Sequence, residues 1–379
     1  MAKMESFSGR NLPIVTIWGD PQGRSASFAR AQVRGALTSS KLDDFLITRV
    51  KDYSIATVDG ETMEASKDDM GAFLDAATVE IDGALNELTR SHAIDMYKSG
   101  YGERGQVSGA VSGTTIQLAN VEDVTNFEVG QELEVAATLT GASRAFGSSG
   151  NGLIITGVNR YSGVLTFAFN VNDATNGIPA IAAADYIFIR GDHSGSTRVK
   201  LSGLEAWLPF TSPTGGDNFF GVDRSQDPTR LAGQRLDGTG GPIEEVLTEA
   251  SSIVAREGGK LTHYFMSFDK YTELQNALGS KVQYVDLKLT AEIAFRGIQV
   301  NGPKGAINVI PDQNCPSNRI FGLNMPTWKL YSLNSAVRIL EHDGLMLLRQ
   351  PSSDGVEVRC GSYAQMGSRA PGHNICIKV

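Results

Sequence analysis

Residues 67–98 read KDDMGAFLDAATVEIDGALNELTRSHAIDMYK, and this stretch decides the fold. Apolar residues recur at helical spacing: Met70, Phe73, Leu74, Ala77, Ile81, Ala84, Leu85, Leu88 and Met96. Asp75, Glu80, Asp82, Asn86, Glu87 and Arg90 fall mostly between them. Ser66 precedes as a cap, and Asp68 and Asp69 sit in the first turn, where acids favour the helix dipole. Gly100 and Gly102 follow, where a left-handed cap needs glycine. The spacing predicts one continuous helix about 45–50 Å long at 1.5 Å per residue. No heptad repeat extends it, so it reads as a spine with one buried face.

The stretches on either side look extended. Residues 45–58 (FLITRVKDYSIATV) are β-branched and aromatic, as in a strand. Residues 25–36 (SASFARAQVRGA) alternate like a strand but equally suit a short helix. With Leu37–Asp44 as the loop, the two predict a long hairpin, residues 25–66. Phe45, Ile47, Tyr53 and Ile55 are expected on one face with Arg49 and Lys51. Residues 1–24 are broken by Pro13, Gly19, Pro21 and Gly23, and read as an arm. The first fifty residues hold seven bases, Lys3, Arg10, Arg24, Arg30, Arg34, Lys41 and Arg49, against four acids.

After the spine, Gly100–Gly113 reads as a linker by composition. Five short strands follow, at Thr114–Leu118, Leu133–Ala137, Leu153–Val158, Val164–Phe169 and Tyr186–Arg190. They predict a small all-β barrel or sandwich, residues 106–193, set into a larger unit. Residues 211–241 form a long irregular segment carrying Arg224, Arg230 and Arg235 among Asp223, Asp227 and Asp237. These charges suit either a solvated surface or paired contacts across subunits. Helices are expected at Pro242–Ala255 and Lys270–Leu278. Strands are expected from Tyr264 onwards to Asn374–Lys378, with no regular βαβ repeat. The class is α+β.

Composition narrows the function. The chain has 379 residues and a net charge of −8, room for about two or three domains and no basic surface for unspecific nucleic-acid binding. No apolar run is long enough to span a membrane, and no secretory signal is expected. Cys315, Cys360 and Cys376 neither frame disulfides nor space as a zinc site, which suits a reducing cytoplasm. Gly100-Tyr101-Gly102-Glu103-Arg104-Gly105 has dinucleotide-fingerprint spacing, but a helix precedes it where a strand is required. Gly258-Gly259-Lys260-Leu261-Thr262 lacks the upstream glycine and the hydroxyl residue of a phosphate loop. His92, His193, His263, His342 and His373 are scattered, and no G-x-S-x-G elbow exists. No catalytic group, metal or cofactor is expected.

An arm, a β-ribbon, a spine helix and an α+β body in this order resemble the major capsid protein of tailed bacteriophages, the Hong Kong 97 fold. Local wording is similar too. Asp52-Tyr53-Ser54, Met63-Glu64-Ala65-Ser66 and Gly71-Ala72-Phe73 look like a ribbon-to-spine passage. Asn126-Phe127-Glu128-Val129-Gly130 and Asp185-Tyr186-Ile187-Phe188 look like an inserted β module. Phe220-Gly221-Val222-Asp223-Arg224-Ser225 and Arg230-Leu231-Ala232-Gly233 look like the long loop.

The resemblance implies an N-arm (1–24), an E-loop hairpin (25–66), a spine in a peripheral domain (67–105), an inserted β domain (106–193), and peripheral and axial domains (194–379). It implies a non-catalytic shell of pentamers and hexamers around double-stranded DNA that is held only weakly. A separate scaffolding protein, a portal and a decoration protein are the implied partners, and the virion, assembled in host cytoplasm, the location. Subunit-contact candidates are Arg30, Arg34, Phe45, Arg49, Lys51, Tyr53, Arg224, Arg230 and Arg235. An encapsulin-like compartment, or an enzyme with a β-type binding module, is the alternative.

Overall fold

The computed structural model describes residues 3–6, 9–61, 70–109, 111, 113–278, 298–341, 344–350 and 354–379. The spine is helical over Met70–Asp95, about 39 Å at 1.5 Å per residue. Ser66, Asp68 and Asp69, and the side chains of Phe73, Leu74 and Ala77, lie outside the described residues. The helix stops short of Lys98. Tyr97 N–H bonds to the Ile94 carbonyl and Lys98 N–H to the Asp95 carbonyl, a tightened last turn, and Gly100 then takes φ +89°. Ala84 and Leu88 are buried and Ile81 and Leu85 partly so, packed on Ala56, Val358 and Cys360. Glu80, Asp82, Asn86 and Glu87 face solvent, as the spacing requires.

Beneath the spine lies a sheet built on the 14-residue strand Gly355–Ser368. Val50–Asp59 pairs antiparallel along one edge, with Val50 opposite Ala364 and Asp59 opposite Gly355. Trp328–Ser332, Arg338–Ile339 and Leu348–Arg349 share the other edge, and Lys3–Ser6 adds parallel to Trp328–Ser332.

The ribbon differs from the expected hairpin. Lys41–Thr48 pairs with Asn11–Gly19, with Ile14 opposite Phe45, and not with residues 25–36. Those residues instead form the helix Phe28–Leu37 at the ribbon's far end. Alanine, leucine, arginine and glutamine dominate it, and all are good helix formers. The expected arm therefore supplies a ribbon strand. The expected single strand over 45–58 is also two strands, which break at Arg49. Inward parity flips there. Phe45 and Ile47 are buried before the break, Ala56 and Val58 after it, so Tyr53 and Ile55 are exposed.

Residues 103–189 form six strands in the order Glu103–Gln106, Tyr186–Ile189, Glu132–Ala136, Leu153–Asn159, Val164–Phe167, Thr115–Gln117. A bridge from Val107 to Leu118 joins the two outer strands and closes a small barrel. Ile116, Phe127, Leu133, Val135, Leu165 and Ile187 fill it. The first strand arises inside the expected linker. A Cβ on Gly105 would sit 3.2 Å from the Phe127 ring, so that glycine lets the strand approach the core.

A third sheet runs in the order Gln234–Asp237, Ile375–Lys378, Arg319–Leu323, His263–Met266, Gly305–Pro311, Ile298–Gly302. The helices Ile243–Arg256 and Phe268–Leu278 cover it over Leu247, Tyr264, Leu274 and Ile375. The second helix begins two residues earlier than expected. The Ser267 hydroxyl accepts from Lys270 N–H at 3.4 Å, and Asp269 lies in the first turn instead of capping it. The chain is α+β, as its sequence implies.

Candidate assembly surface

The ribbon has two unlike faces. On the inner face Ile14, Phe45 and Ile47 enter a core with Trp207, Phe219 and Trp328. Phe45 lies edge-on to Trp207 at 5.1 Å and to Phe219 at 6.3 Å. Thr16 Oγ1 donates to the Arg369 carbonyl at 3.1 Å, and Trp18 Nε1 donates to Asp43 at 2.6 Å across the ribbon. The ribbon base is thus fixed to the body of its own chain.

The outer face is apolar and open. Strand alternation puts Val15, Ile17, Leu42 and Leu46 there, at 55%, 65%, 51% and 42% exposure. Ile17 stands opposite Leu42 in the ladder. The helix Phe28–Leu37 between the two ribbon strands also has no buried residue, and its Phe28, Val33 and Leu37 are exposed. Val33 and Leu37, four apart, share one side, and Arg30 and Arg34 share the next. Gly23 backs the helix, since a Cβ there would meet Gly35 Cα at 3.0 Å. A run of exposed aliphatic side chains on one projection is a candidate contact surface.

The expected contact residues separate into three groups. Arg30 and Arg34 are exposed on the helical tip, where Arg34 also donates to the Arg24 carbonyl at 3.3 Å. Lys51 and Tyr53 are exposed on a different element, the strand after the ribbon, with half-buried Arg49 just before it. Tyr53 packs edge-on against Tyr363 at 5.9 Å. Phe45 is fully buried within its own chain, which removes it from the contact surface.

Arg224 and Arg235 are internal staples, contrary to their expected role between subunits, whereas Arg230 stays exposed. Arg224 is 2% exposed. It pairs with Asp217 at 2.8 Å, donates to the Ala206 carbonyl at 2.7 Å, and stacks 4.1 Å from the Phe219 ring. Arg235 donates to the Pro209 and Pro228 carbonyls at 2.8 and 3.1 Å. Arg230 donates to the Trp18 carbonyl at 2.7 Å, tying the loop to the helical end of the ribbon, with Asp227 at 3.8 Å. A long loop has many backbone carbonyls to satisfy, and guanidinium groups satisfy several at once.

Residue-type reasoning missed Val15, Ile17, Leu42, Val33 and Leu37. The signal was present: Leu12-Pro13-Ile14-Val15-Thr16-Ile17-Trp18 is apolar at odd and even positions alike, so a strand there must leave one apolar face outside its own core. Among the described residues, no group of three or more His, Cys, Asp and Glu is placed to hold a metal. No described helix is long and apolar enough to cross a membrane.

No family model and no curated relative matches the sequence. Solved structures do. The capsid asymmetric unit of cyanophage A-1(L) aligns with a TM-score of 0.51 at 14% identity, over 100% of this chain and 90% of that one. The capsid of an empty GTA particle gives 0.44 at 8% identity, over 100% and 93%. The holo-SrpI encapsulin complex from Synechococcus elongatus PCC 7942 gives 0.43 at 6%, over 100% and 85%. The chain has the fold of tailed-phage major capsid proteins.

Proposed function

We propose that the chain is a non-catalytic major capsid protein that closes into an icosahedral shell of pentamers and hexamers around phage double-stranded DNA. The observation that carries this reading is the likeness to the cyanophage capsid subunit, which spans the whole chain. In this reading the ribbon with its helical tip is the E-loop. The spine and the sheet beneath it form the peripheral domain, the third sheet and its helices the axial domain, and the barrel an inserted domain.

The mechanism is repetition of one contact. The outer ribbon face is apolar and open in a single copy, and a neighbouring copy buries it. Each apolar contact is worth little, but every subunit both gives and receives one, and a closing rotation stops growth. The mild negative charge, −8, suits an inner wall that does not grip packaged DNA. A separate scaffolding protein, a portal and a decoration protein complete the proposed virion, assembled in host cytoplasm. Sedimentation and negative-stain microscopy of the purified chain test this. Closed shells support it, and particles carrying a cargo enzyme in place of DNA would favour an encapsulin-like compartment. A monomer that never assembles under any salt or scaffold condition overturns it.

A further inference from the structure

The barrel meets the rest of the chain at a buried junction of charges. Its two connections cross at Gly102, where a Cβ would lie 2.1 Å from the Asp192 carbonyl oxygen. Around this crossing, side chains from every neighbouring element converge. Asp52 comes from the strand after the ribbon, Ser91, His92 and Asp95 from the spine, and Lys98 from just beyond it. Glu103 and Arg104 come from the barrel's entry strand, and Asp123 from the short helix Val121–Asn126. Asp192 comes from the barrel's exit, Lys200 from the connector, Glu205 from the body helix Leu204–Trp207, and Arg319 from the third sheet.

The groups are linked but not fully satisfied. Lys200 reaches Asp52 at 2.8 Å and Asp192 at 3.0 Å. Ser91 donates to Asp52 at 3.0 Å and accepts from Arg104 at 2.8 Å. Lys98 pairs with Asp123 at 3.3 Å, and Glu103 accepts from Ser99 N–H at 2.7 Å. Arg104 and Asp95, with side chains 1% and 2% exposed, approach to 3.1 Å. Yet their facing atoms are not aligned as a hydrogen bond, and Asp95 Oδ1, Arg104 Nε and Nη1, and His92 Nε2 have no hydrogen-bond partner. The carboxylates Asp52, Asp95, Glu103, Asp123, Asp192 and Glu205 outnumber the cations Lys98, Arg104, Lys200 and Arg319. A buried excess of acid is relieved by taking up protons.

We propose that this junction is a proton-operated latch that holds the barrel to the spine and body. Mild acid tightens the latch, and neutral pH loosens it. Burial pushes Asp95 up to about 6 against the pull of Arg104. Burial and the neighbouring Glu103 push Glu205 up to about 6. Burial lowers His92, so this one imidazole takes up a proton on opening and works against the two carboxyls, which outnumber it and set the net direction. Opening the junction returns the carboxyls to water and to their ordinary values near 4. The closed form then holds protons that the open form releases. Opening therefore becomes easier as pH rises from about 4 to about 6, and levels off above that. Ser91, Ile94, Arg104 and Asn126 line a cleft of about 590 Å³ between spine and barrel, which gives solvent a route to the latch.

Hydrogen exchange on the full chain, held in one assembly state from pH 4.5 to 7.5, tests this. The reporters are the amides of Lys200, Gly203 and Leu204, which bond to the Gly100, Lys98 and Met96 carbonyls across the junction. After correction for intrinsic rates, their opening constant is expected to rise with pH up to about 6 and then flatten. Asp95 alone contributes roughly tenfold over pH 4.5–6, less than the limiting tenfold per unit because its closed form is half deprotonated by pH 6. Asp95→Asn removes that contribution. Glu205→Gln removes its own and serves as the independent variant if Asp95→Asn fails to fold. The Val135 amide inside the barrel stays protected throughout. An opening constant that ignores pH, that keeps its full slope in the variants, or that changes equally for Val135 overturns the latch.

Discussion

Phe45→Ala separates the two faces of the ribbon. The Phe45 ring is wholly inside its own chain, between Trp207 and Phe219, so truncation leaves a cavity that neither neighbour fills. Buried phenylalanine truncations cost about 3–5 kcal/mol, a large share of the ~5–15 kcal/mol that holds a domain together. With Tm moving roughly 2–4 °C per kcal/mol in a unit of this size, the unassembled subunit should melt about 6–20 °C lower. The matching outer-face variant is Val15→Ser, Ile17→Ser, Leu42→Ser combined. These side chains are already more than half in water, so the subunit melt should barely move. Fully burying such a side chain yields ~1.5–3 kcal/mol, so the part still open is worth about 1 kcal/mol each, or roughly 3 kcal/mol per contact between copies. Light-scattering assembly titrations should therefore shift by about a hundredfold in threshold concentration, while calorimetry of the subunit stays level. A Phe45→Ala subunit that melts normally but cannot assemble would refute the assignment of faces.

Further outcomes follow from single groups. Arg224→Ala should lower the urea midpoint of the subunit more than Arg230→Ala, because it strands the buried Ala206 carbonyl and leaves half-buried Asp217 unpaired, at about 1–3 kcal/mol. Equal midpoints would return these arginines to the surface. Leu88→Asp, on the buried side of the spine, should abolish soluble subunit, while Glu80→Ala on the exposed side is tolerated, as a solubility assay will report. Burial, with the carboxyl of Asp269 beside it, pushes Glu122 up to about 7. The folded chain then holds a proton that the unfolded chain releases, so this stability is present below about pH 4.5 and is lost as pH rises through about 7. Glu122→Gln should raise the denaturation midpoint at pH 8 and leave it unchanged at pH 4.5; the same effect at both would remove Glu122 as the cause.

The spine, four of the third sheet's six strands and most of the barrel were legible because their periodicity is local, whereas Gln234–Asp237, inside the segment read as irregular, and Ile298–Gly302 were not. Ile81, Ala84 and Leu88 announce a buried helix side without any knowledge of what covers it. The barrel's first strand was not legible. Glu103 and Arg104 are buried by charge pairing, and such a strand looks polar on paper. The ribbon's pairing was hidden for another reason. Asn11–Gly19 meets Lys41–Thr48 across an intervening helix, and apolar residues at odd and even positions alike in the first strand give no register. Tyr53 and Ile55 were grouped with Phe45 and Ile47 because odd numbers share a face in a continuous strand. The break at Arg49 reverses that parity, and nothing in the residue types marks it. The loop arginines show a limit of charge patterning: alternating Arg and Asp reads alike whether the partners are carbonyls of the same loop or acids of another copy.

In the proposed shell, copies of this chain bury one another's ribbons, and a cryo-electron microscopy reconstruction of the assembled particle tests this most directly. The expected result is a closed icosahedral shell in which Val15, Ile17, Leu42 and the helix Phe28–Leu37 lie against a neighbouring subunit. A closed shell whose ribbons point into solvent, with these side chains uncovered, would contradict it.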